Sequence, residues 1–340
     1  MSAIAFFDCS GSDKAFFQKE LRWKTKTTFF TDSVNEQHLQ KIADAEVVSS
    51  FYKSKWTSQL LGRLPNLKLI LLRCTGFDNV DMEYCNARGI AVCNVPVYGD
   101  NTVAEHTFAL LLALAKHLPT TISRTRAGSH LAEEPIGFDL KGKVIGVIGG
   151  GKIGMNVVKI AHGFGMYPLV YDMAHQDFLT QILDFQYASV DDILKKADII
   201  SLHLPHVPNT HHILNKRAFK LMKKGVILIN TARGELIDTS ELLSNVVHGK
   251  IAAAGLDVIE EEDVFVHPSL AITPQSAELL AFNRQLISHP NVIYTAHNAY
   301  RTQEAMERIL RVSLENLMAY KNKQPQNVVN QKKVTPSSPR

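Results

Sequence analysis

The chain has 340 residues, 45% of them hydrophobic and 21% charged, which is the balance of a globular protein with one large or two ordinary domains. The formal charge of +4 is small and the basic residues are scattered, so a nucleic-acid-binding footprint is not indicated. The cysteines Cys9, Cys74, Cys85 and Cys93 form no Cys-x-x-Cys pair, so we expect free thiols. Neither a signal peptide nor a bilayer-spanning run is present, which favours a cytoplasmic protein.

Short apolar runs alternate with polar helical stretches in the first hundred residues. The predicted strands are Ala3–Phe7, Lys26–Phe30, Ala45–Ser50, Leu67–Cys74 and Ile90–Val95. Helices are predicted over Asn35–Asp44 and Asn79–Gly89, the second ending on Gly89 as its C-terminal cap. This alternation is typical of a parallel sheet with helices on its faces.

A long apolar-striped helix, Asp100–Leu118, follows, with Asp100 or Asn101 as its N-cap. The polar stretch Ser123–Lys143 after it is expected to be a surface connection. A second alternating set then begins, and a final helix, Thr302–Asn322, precedes a tail, 331–340, that we expect to be disordered. The six predicted strands of this set are Lys143–Gly149, Tyr167–Asp172, Asp198–Leu204, Val226–Thr231, Ala252–Val258 and Asn291–Ala296.

A glycine-rich turn stands between the first of these strands and a helix. Gly149-x-Gly151-x-x-Gly154 is a weak signal alone, but the strand before it and the helix after it are the context of a dinucleotide site. The glycines allow a tight turn, close backbone approach to a pyrophosphate and close helix packing. Asp172 ends the next strand, where a carboxylate binds ribose hydroxyls and repels a 2′-phosphate. The predicted cofactor is therefore NAD rather than NADP.

Charged side chains follow three strands of the second set. Arg233 stands just past one strand end, the acidic run Glu260–Asp263 follows the next, and His297 follows the last. Arginine can hold a carboxylate in two hydrogen bonds, and histidine can give a ketone oxygen its proton. One acid of the run could orient that histidine, but the residues alone do not say which. Beside an NAD site, this set predicts hydride transfer between a 2-hydroxy acid and its 2-keto acid.

The sequence resembles the D-isomer-specific 2-hydroxyacid dehydrogenase family over residues 45–325. The motifs that carry the resemblance are "TGFDNVD" (Thr75–Asp81), "NVPVYGDNTVAEHT" (Asn94–Thr107), "GVIGGGKIG", "LHLPHVPNT" (Leu202–Thr210), "INTARGELID", "AGLDVIEEED" and "TAHNAY". In that family the glutamate of the catalytic triad lies five residues after the aspartate of "GLD". The resemblance therefore implies a triad of Arg233, Glu262 and His297. A formate dehydrogenase is disfavoured, because that branch pairs its histidine with glutamine.

The family resemblance also implies an α/β fold of two Rossmann-like domains, with a doubly wound NAD-binding domain inserted in a flavodoxin-like substrate-binding domain. The substrate-binding domain would comprise residues 1–100 and 299–330, and the NAD-binding domain residues 101–298. The helix 100–118 would lie between the domains and form a contact of a homodimer.

Further contacts follow from the same resemblance. Substrate would contact Thr75, Gly76, Tyr98, Arg233 and Tyr300. The implied cofactor-binding residues are Gly149, Gly151, Lys152, Ile153, Gly154, Asp172, Leu204, Pro205, Thr210, Thr231, Ala232, Arg233, Asp257 and His297.

Within the family the likeness is to D-lactate dehydrogenases, because Tyr98 and Tyr300 would wall a pocket too small for large side chains. Arg301 departs from the usual apolar residue, and would admit a second acidic group if it faced the pocket. Sister enzymes for hydroxyisocaproate, phenyllactate or glycerate and glyoxylate remain alternatives. So does an NAD(H)-sensing corepressor-like binding protein, since those proteins share the fold and triad. Histidines within Leu202–His212 could suggest a metal, but the prolines break ligand spacing, and no metal is expected.

Overall fold

The computed structural model describes residues 3–21, 26–129, 136–266 and 273–330. Its strands are β1 (Ala3–Phe6), β2 (Thr27–Phe29), β3 (Ala45–Ser50), β4 (Leu69–Leu72), β5 (Ala91–Cys93), β6 (Val144–Ile148), β7 (Tyr167–Tyr171), β8 (Gln186–Tyr187), β9 (Ile199–Leu202), β10 (Val226–Asn230), β11 (Ile251–Leu256) and β12 (Val292–Tyr294). Its α-helices are α1 (Gly11–Glu20), α2 (Ser58–Leu61), α3 (Met82–Arg88), α4 (Asp100–Ala115), α5 (Leu118–Arg126), α6 (Lys152–Gly163), α7 (Asp177–Leu183), α8 (Val190–Lys196), α9 (Lys216–Leu221), α10 (Thr239–Val247), α11 (Glu262–Val266), α12 (Pro274–Ser288) and α13 (Gln303–Lys321). Two 3-10 helices cover Glu36–Ile42 and Gly234–Leu236.

The chain divides into two compact units, Met1–Tyr98 with Thr302–Arg340, and Gly99–Arg301. The first border lies two residues before the predicted one and the second lies three residues after it. The predicted disordered tail, 331–340, lies outside the described residues, as does part of the predicted connection, 130–135.

The first unit contains a five-stranded parallel sheet in the order β2-β1-β3-β4-β5. This is the flavodoxin-like order, as predicted. All five predicted strands are present, and their apolar side chains form one core with helices α1 and α13. Phe6, Phe17, Leu69 and Leu317 are buried in it. The predicted helix Asn79–Gly89 is α3, and Gly89 caps it in the left-handed conformation at φ 65°.

Two details of the first unit differ from the predictions. The helix predicted over Asn35–Asp44 is a 3-10 helix that covers Glu36–Ile42. Its Asn35 side chain accepts from the Gln37 amide, and His38 Nδ1 accepts from the Asn35 amide. Helix α1 was not predicted, although Ser10 and Asp13 form a capping box at its start.

The second unit contains a seven-stranded parallel sheet in the order β12-β11-β10-β9-β6-β7-β8. Taken from β6, its first six strands have the dinucleotide-binding order 3-2-1-4-5-6, and β12 adds one more at the edge. The six predicted strands are all present. The seventh, β8, was missed because two residues are too short to show an alternating pattern. The order reverses between β6 and β9, which is where ligands bind in such sheets.

The long predicted helix 100–118 is wrong in its end and its cap. Helix α4 ends at Ala115, because His117 takes a left-handed conformation at φ 49° and starts α5 in a new direction. The N-cap residue is Gly99, which has no side chain to cap with, rather than Asp100 or Asn101. Helix α5 also replaces the first part of the predicted surface connection. Among the described residues, no helix is long and apolar enough to cross a membrane.

Candidate active site

The glycine turn lies at the carboxyl end of β6 and opens α6. At Gly154 a side chain would not fit, since an added Cβ would stand 2.0 Å from the Gly149 carbonyl oxygen. Gly149 has φ 113°, and a Cβ there would stand 2.6 Å from the His203 carbonyl carbon. Open space surrounds Gly151 instead, and no side chain caps the amides of α6. The turn is thus a cradle with exposed amides at a helix N-terminus, which suits a pyrophosphate.

Asp172 follows β7 beside this cradle. Its Oδ2 accepts from the Gly150 amide at 2.7 Å, and its Oδ1 accepts from the Ala174 amide at 2.8 Å. The carboxylate is half-buried and is therefore held in one orientation. Each oxygen keeps further accepting capacity for a ribose hydroxyl. The cradle and this carboxylate together fit the adenosine half of NAD.

The remaining predicted cofactor residues lie at the carboxyl ends of neighbouring strands or at the start of α6. Lys152 and Ile153 are the first two residues of α6. Beyond β9, Thr210 closes the loop that begins with Leu204, because its hydroxyl donates to the Pro205 carbonyl at 2.7 Å. After β10, Thr231 Oγ1 lies 3.1 Å from Thr107 Oγ1, and the Ala232 amide donates to Asn230 Oδ1. The predicted set therefore lines one edge of the sheet.

Arg233 follows β10 in an extended conformation, ahead of the 3-10 helix Gly234–Leu236. The side chain is half-buried, and its Nη1 donates to the Ala232 carbonyl at 2.8 Å. Gly234 brings this turn against the chain after β11, because an added Cβ would stand 2.0 Å from the Ile259 carbonyl carbon. The close approach fixes the arginine next to the acidic run.

The acids of that run have different surroundings. Glu260 is buried, and its two oxygens are engaged by His212 Nε2 at 2.6 Å and by the Thr239 amide at 2.9 Å. Glu261 is exposed, with φ 47°. Glu262 starts α11, and its Oε2 lies 3.1 Å from His297 Nδ1. The geometry thus selects Glu262 as the acid paired with the histidine.

The loop that carries His297 is held in a strained conformation. Ala296 and His297 are both left-handed, with φ 48° and 58°, at a cost of roughly 1–2 kcal/mol each. Asp257, only 1% exposed, counters this cost. Its Oδ1 accepts from Thr295 Oγ1 at 2.5 Å and from the Asn298 amide at 2.8 Å, and its Oδ2 accepts from the Ala299 amide. The His297 amide donates to the Asp257 carbonyl at 2.6 Å.

Together these contacts leave a histidine oriented by a carboxylate. The side chains of His297 and Glu262 are 21% and 20% exposed, so solutes can reach both. The contact of Nδ1 with the carboxylate fixes the orientation of the ring. Tyr294 lies near Glu262. Burial, together with the charge of Glu262, raises the pKa of the Tyr294 phenol, which therefore stays neutral.

Tyr300 and Arg301 follow on the same loop. The Tyr300 ring stands edge-on to His297, with centroids 6.3 Å apart and planes at 77°. Arg301 is exposed, and its amide donates to the Asn298 carbonyl. The N-cap of the next helix is the neighbouring Thr302.

The predicted substrate residues of the first unit lie at the carboxyl edge of its sheet. Thr75 is exposed, its hydroxyl donates to the Val95 carbonyl at 2.8 Å, and Asn94 Nδ2 donates to its carbonyl. Gly76 and Tyr98 are half-buried. Below them, Arg73 is only 1% exposed.

One contact at the second sheet was not predicted. His106, on α4, places its Nε2 2.9 Å from Thr295 Oγ1 and 3.5 Å from Asp257 Oδ1. No local sequence pattern links the two residues, because 189 positions separate His106 from Thr295. Among the histidines near Leu202, His206 Nε2 lies 3.2 Å from His211 Nδ1. In the described part of the chain, no group of three or more His, Cys, Asp or Glu side chains could hold a metal.

Comparisons with known proteins agree with a dinucleotide site in the second unit. A model of the family described as "D-isomer specific 2-hydroxyacid dehydrogenase, NAD binding domain" matches residues 108–299. A 2-hydroxyacid dehydrogenase homolog of Haemophilus influenzae is 36% identical over 325 residues, covering 94% of this chain and 96% of that protein. A glyoxylate reductase of Thermococcus litoralis is 34% identical over 309 residues, covering 88% of each.

A solved structure extends the likeness to the whole fold. It is D-lactate dehydrogenase from Aquifex aeolicus complexed with NAD and lactic acid, which superposes with a TM-score of 0.88 at 34% identity. The match covers 97% of this chain and 99% of that one. The fold and the nucleotide cradle thus define an NAD-dependent oxidoreductase that acts on 2-hydroxy acids. The chain belongs to the D-isomer-specific 2-hydroxyacid dehydrogenase family.

Proposed function

We propose that the protein interconverts D-lactate and pyruvate with NAD, and that Arg233, Glu262 and His297 are its catalytic residues. The observation that carries the proposal is the pairing of His297 Nδ1 with Glu262 Oε2 at 3.1 Å, beside the edge-on ring of Tyr300. The histidine is the acid–base group, and the tyrosine limits the room for a substrate side chain. The likeness to a lactic acid complex supports the same substrate.

Each group has one task in pyruvate reduction. His297 gives the Nε2 proton to the keto oxygen, and in lactate oxidation it takes that proton back. Glu262 orients the ring and stabilises its charged form. Arg233 binds the substrate carboxylate through its planar fork and polarises the carbonyl. We further propose that Thr75, Gly76 and Tyr98 contact the substrate, as the family resemblance implies.

NAD fits the cradle of the second unit, and when bound it carries the hydride that is exchanged with the substrate carbon. Gly149, Gly151 and Gly154 with the first amides of α6 would hold the pyrophosphate. Asp172 would bind the ribose hydroxyls. The other assigned contacts are Lys152, Ile153, Leu204, Pro205, Thr210, Thr231, Ala232 and Asp257, which follow from the family resemblance.

A panel of 2-keto acids tests the substrate. Glyoxylate, pyruvate, hydroxypyruvate, 2-ketoisocaproate and phenylpyruvate are each assayed for NADH oxidation at 340 nm, with NADPH in parallel. We expect pyruvate to give the highest kcat/KM, NADH to be preferred, and the product to be D-lactate. A higher kcat/KM for the two bulky keto acids would reject the role of Tyr300 as a limiting wall.

Glyoxylate is the second candidate, because a glyoxylate reductase is 34% identical over most of both chains. It is smaller than pyruvate, so the wall formed by Tyr300 does not exclude it. Replacement of Tyr300 with alanine separates the two hypotheses. If the tyrosine packs on the methyl group of pyruvate, the change weakens pyruvate binding and leaves KM for glyoxylate nearly unchanged.

A corepressor-like NAD(H)-binding role predicts a different result in the same assay. Such a protein would bind NADH and turn over none of the five keto acids. Steady NADH oxidation with many turnovers per protein molecule would reject it.

We also propose that the protein is a homodimer. Leu118 and Ile122 on α5 are 44% and 46% exposed, which supports an apolar contact surface there. Sedimentation equilibrium checks this proposal, and a mass of one chain would reject it.

A cytoplasmic location is proposed on the state of the cysteines. All four are buried free thiols, which suits a reducing compartment. Cell fractionation against cytoplasmic and secreted markers checks the location.

A further inference from the structure

We propose that His106 is a positioning residue for His297, and that it acts through Thr295 and Asp257. This inference rests on the proposed catalytic role of His297. The three residues form one hydrogen-bonded chain from α4 to the loop that carries the histidine. His106 is 22% exposed at its side chain, whereas Asp257 is 1% exposed.

The direction of the hydrogen bonds follows from the donors and acceptors present. Thr295 Oγ1 is hydrogen-bonded to Asp257 Oδ1, and an ionised carboxylate, which here also receives backbone amides on both oxygens, can only accept. The threonine hydroxyl therefore donates to the carboxylate. Since its only proton is used, it must accept from His106, whose Nε2 lies 2.9 Å away. His106 is thus protonated at Nε2 and acts as the donor at the head of the chain.

Asp257, at the other end of this chain, holds the backbone on both sides of His297. Its carbonyl accepts from the His297 amide, and its carboxylate accepts from the amides of Asn298 and Ala299. Ala296 and His297 keep their left-handed conformations only while such contacts define the loop. A shift of the carboxylate would therefore move the imidazole.

Helix α4 provides a fixed base for the chain of hydrogen bonds. Ala104, Phe108 and Leu111 are buried in the core of the second unit. Their packing fixes the position of the helical turn that carries His106. The neighbouring Thr107 is 0% exposed, and its hydroxyl contacts Thr231 at the end of β10. One helical turn thus contacts the strand end before Arg233 and the strand end before His297.

This arrangement predicts a specific consequence of losing the donor. Without His106, Thr295 and the carboxylate of Asp257 lose their link to α4, and the loop samples more conformations. The glycine cradle lies on other strands, so NADH should still bind. The chemical step would slow, because small displacements of a reacting group cost much of the rate.

The test uses His106→Leu, His106→Gln, Thr295→Val and the double variant His106→Leu/Thr295→Val in the full chain. Hydrogen exchange at the amides of Asn298 and Ala299 is measured by mass spectrometry on peptides that cover 295–301. Steady-state kinetics with pyruvate and NADH give kcat and KM. His248→Leu is the matched control, since His248 is an exposed histidine at the end of another helix, α10.

For His106→Leu we expect faster exchange at those amides and a kcat lower by about tenfold or more, with a smaller change in KM for NADH. His106→Gln should recover most of the rate, because its amide can donate at the same place. The double variant should be no slower than Thr295→Val alone, because the two residues act in one chain. His248→Leu should behave as the wild type.

Unchanged exchange in both His106→Leu and Thr295→Val would overturn the proposal, whatever the substrate is. So would rate losses that multiply in the double variant, or a His106→Gln protein as slow as His106→Leu. Failure of the proposed function would be seen in a different measurement. In that case the wild type reduces no keto acid, while the exchange measurement still decides the role of His106.

Discussion

The carboxyl edges of the two sheets are built from different groups. At the seven-stranded sheet, the side chains of Glu262 and His297 are titratable, paired and about one-fifth exposed. At the five-stranded sheet, the charged Arg73 is buried, and Thr75 and Gly76 lie on the loop that follows it. One edge therefore presents a titratable pair that is partly exposed, and the other presents a loop that follows a buried cation. Parallel strands of the same kind thus end in groups of different chemistry at the two edges.

The largest effect is expected from the side chains that would touch substrate. His297→Gln and Arg233→Gln should each lower kcat/KM for pyruvate by about a thousandfold or more, because one removes the acid–base group and the other the cation that polarises the carbonyl. NADH should still bind to both variants, as measured by fluorescence titration. Full turnover in either variant would remove the chemical difference between the two edges.

Arg73→Met tests the other edge, through stability. The guanidinium donates to Ser49 Oγ at 3.1 Å and to the carbonyls of Phe7 and Asp8 at 2.6 and 2.9 Å. Burial lowers the pKa of Arg73, but these acceptors keep it charged. Its loss leaves the carbonyls without this donor and should cost about 3 kcal/mol.

Guanidinium unfolding followed by circular dichroism measures that cost. The exposed Arg88→Met is the control and should change the free energy of unfolding little. If the two variants were equally stable, the buried cation would not be what supports the first edge.

Glu262→Gln asks whether the acidic partner matters at the second edge. The amide keeps the size of the side chain but cannot stabilise the imidazolium, so kcat should fall by about a hundredfold. Glu261→Gln is a matched control, because Glu261 is the neighbouring residue and its carboxylate is exposed. The two are compared by steady-state NADH oxidation with pyruvate. Equal rates in both variants would mean that the 3.1 Å contact of Glu262 with His297 has no role in the reaction.

The sequence predicted the fold more fully than the site. Strand periodicity and the glycine spacing predicted both sheets, because each pattern is local and buried strands repeat it. The strand β8 was missed, since two residues show no period, and the end of α4 was missed because His117 breaks it through backbone conformation alone. Arg233 and His297 were predicted at the carboxyl edge of the sheet, because each follows the end of a predicted strand. The choice of Glu262 needed the family resemblance, and the contact of His106 with Thr295 joins segments too distant in sequence for any local pattern to link them.

The last prediction concerns His203, a half-buried side chain at the carboxyl edge of the second sheet. His203 follows β9 behind the glycine turn, and burial lowers its pKa from 6.5 to about 3. Its Nε2 lies 2.8 Å from Ser201 Oγ, while its buried Nδ1 has no hydrogen-bond partner in the described structure. Arg73 at the first edge stays charged because several acceptors surround it. His203 stays neutral because it has too few partners to compensate a charge.

This neutrality predicts an acid sensitivity with a definite sign. Between about pH 6.5 and pH 3 the unfolded chain binds a proton at His203 and the native chain does not, so stability falls as the pH falls. The loss amounts to about 1.4 kcal/mol per pH unit, and none of it appears above about pH 6.5. His203→Gln removes this contribution, so urea unfolding from pH 6.5 to 4.5 should show a shallower slope than in the wild type. The exposed His248→Gln should keep the wild-type slope. If His203→Gln kept it too, the buried imidazole would be protonated in the native state, and the two edges would not differ in how they treat a buried cationic group.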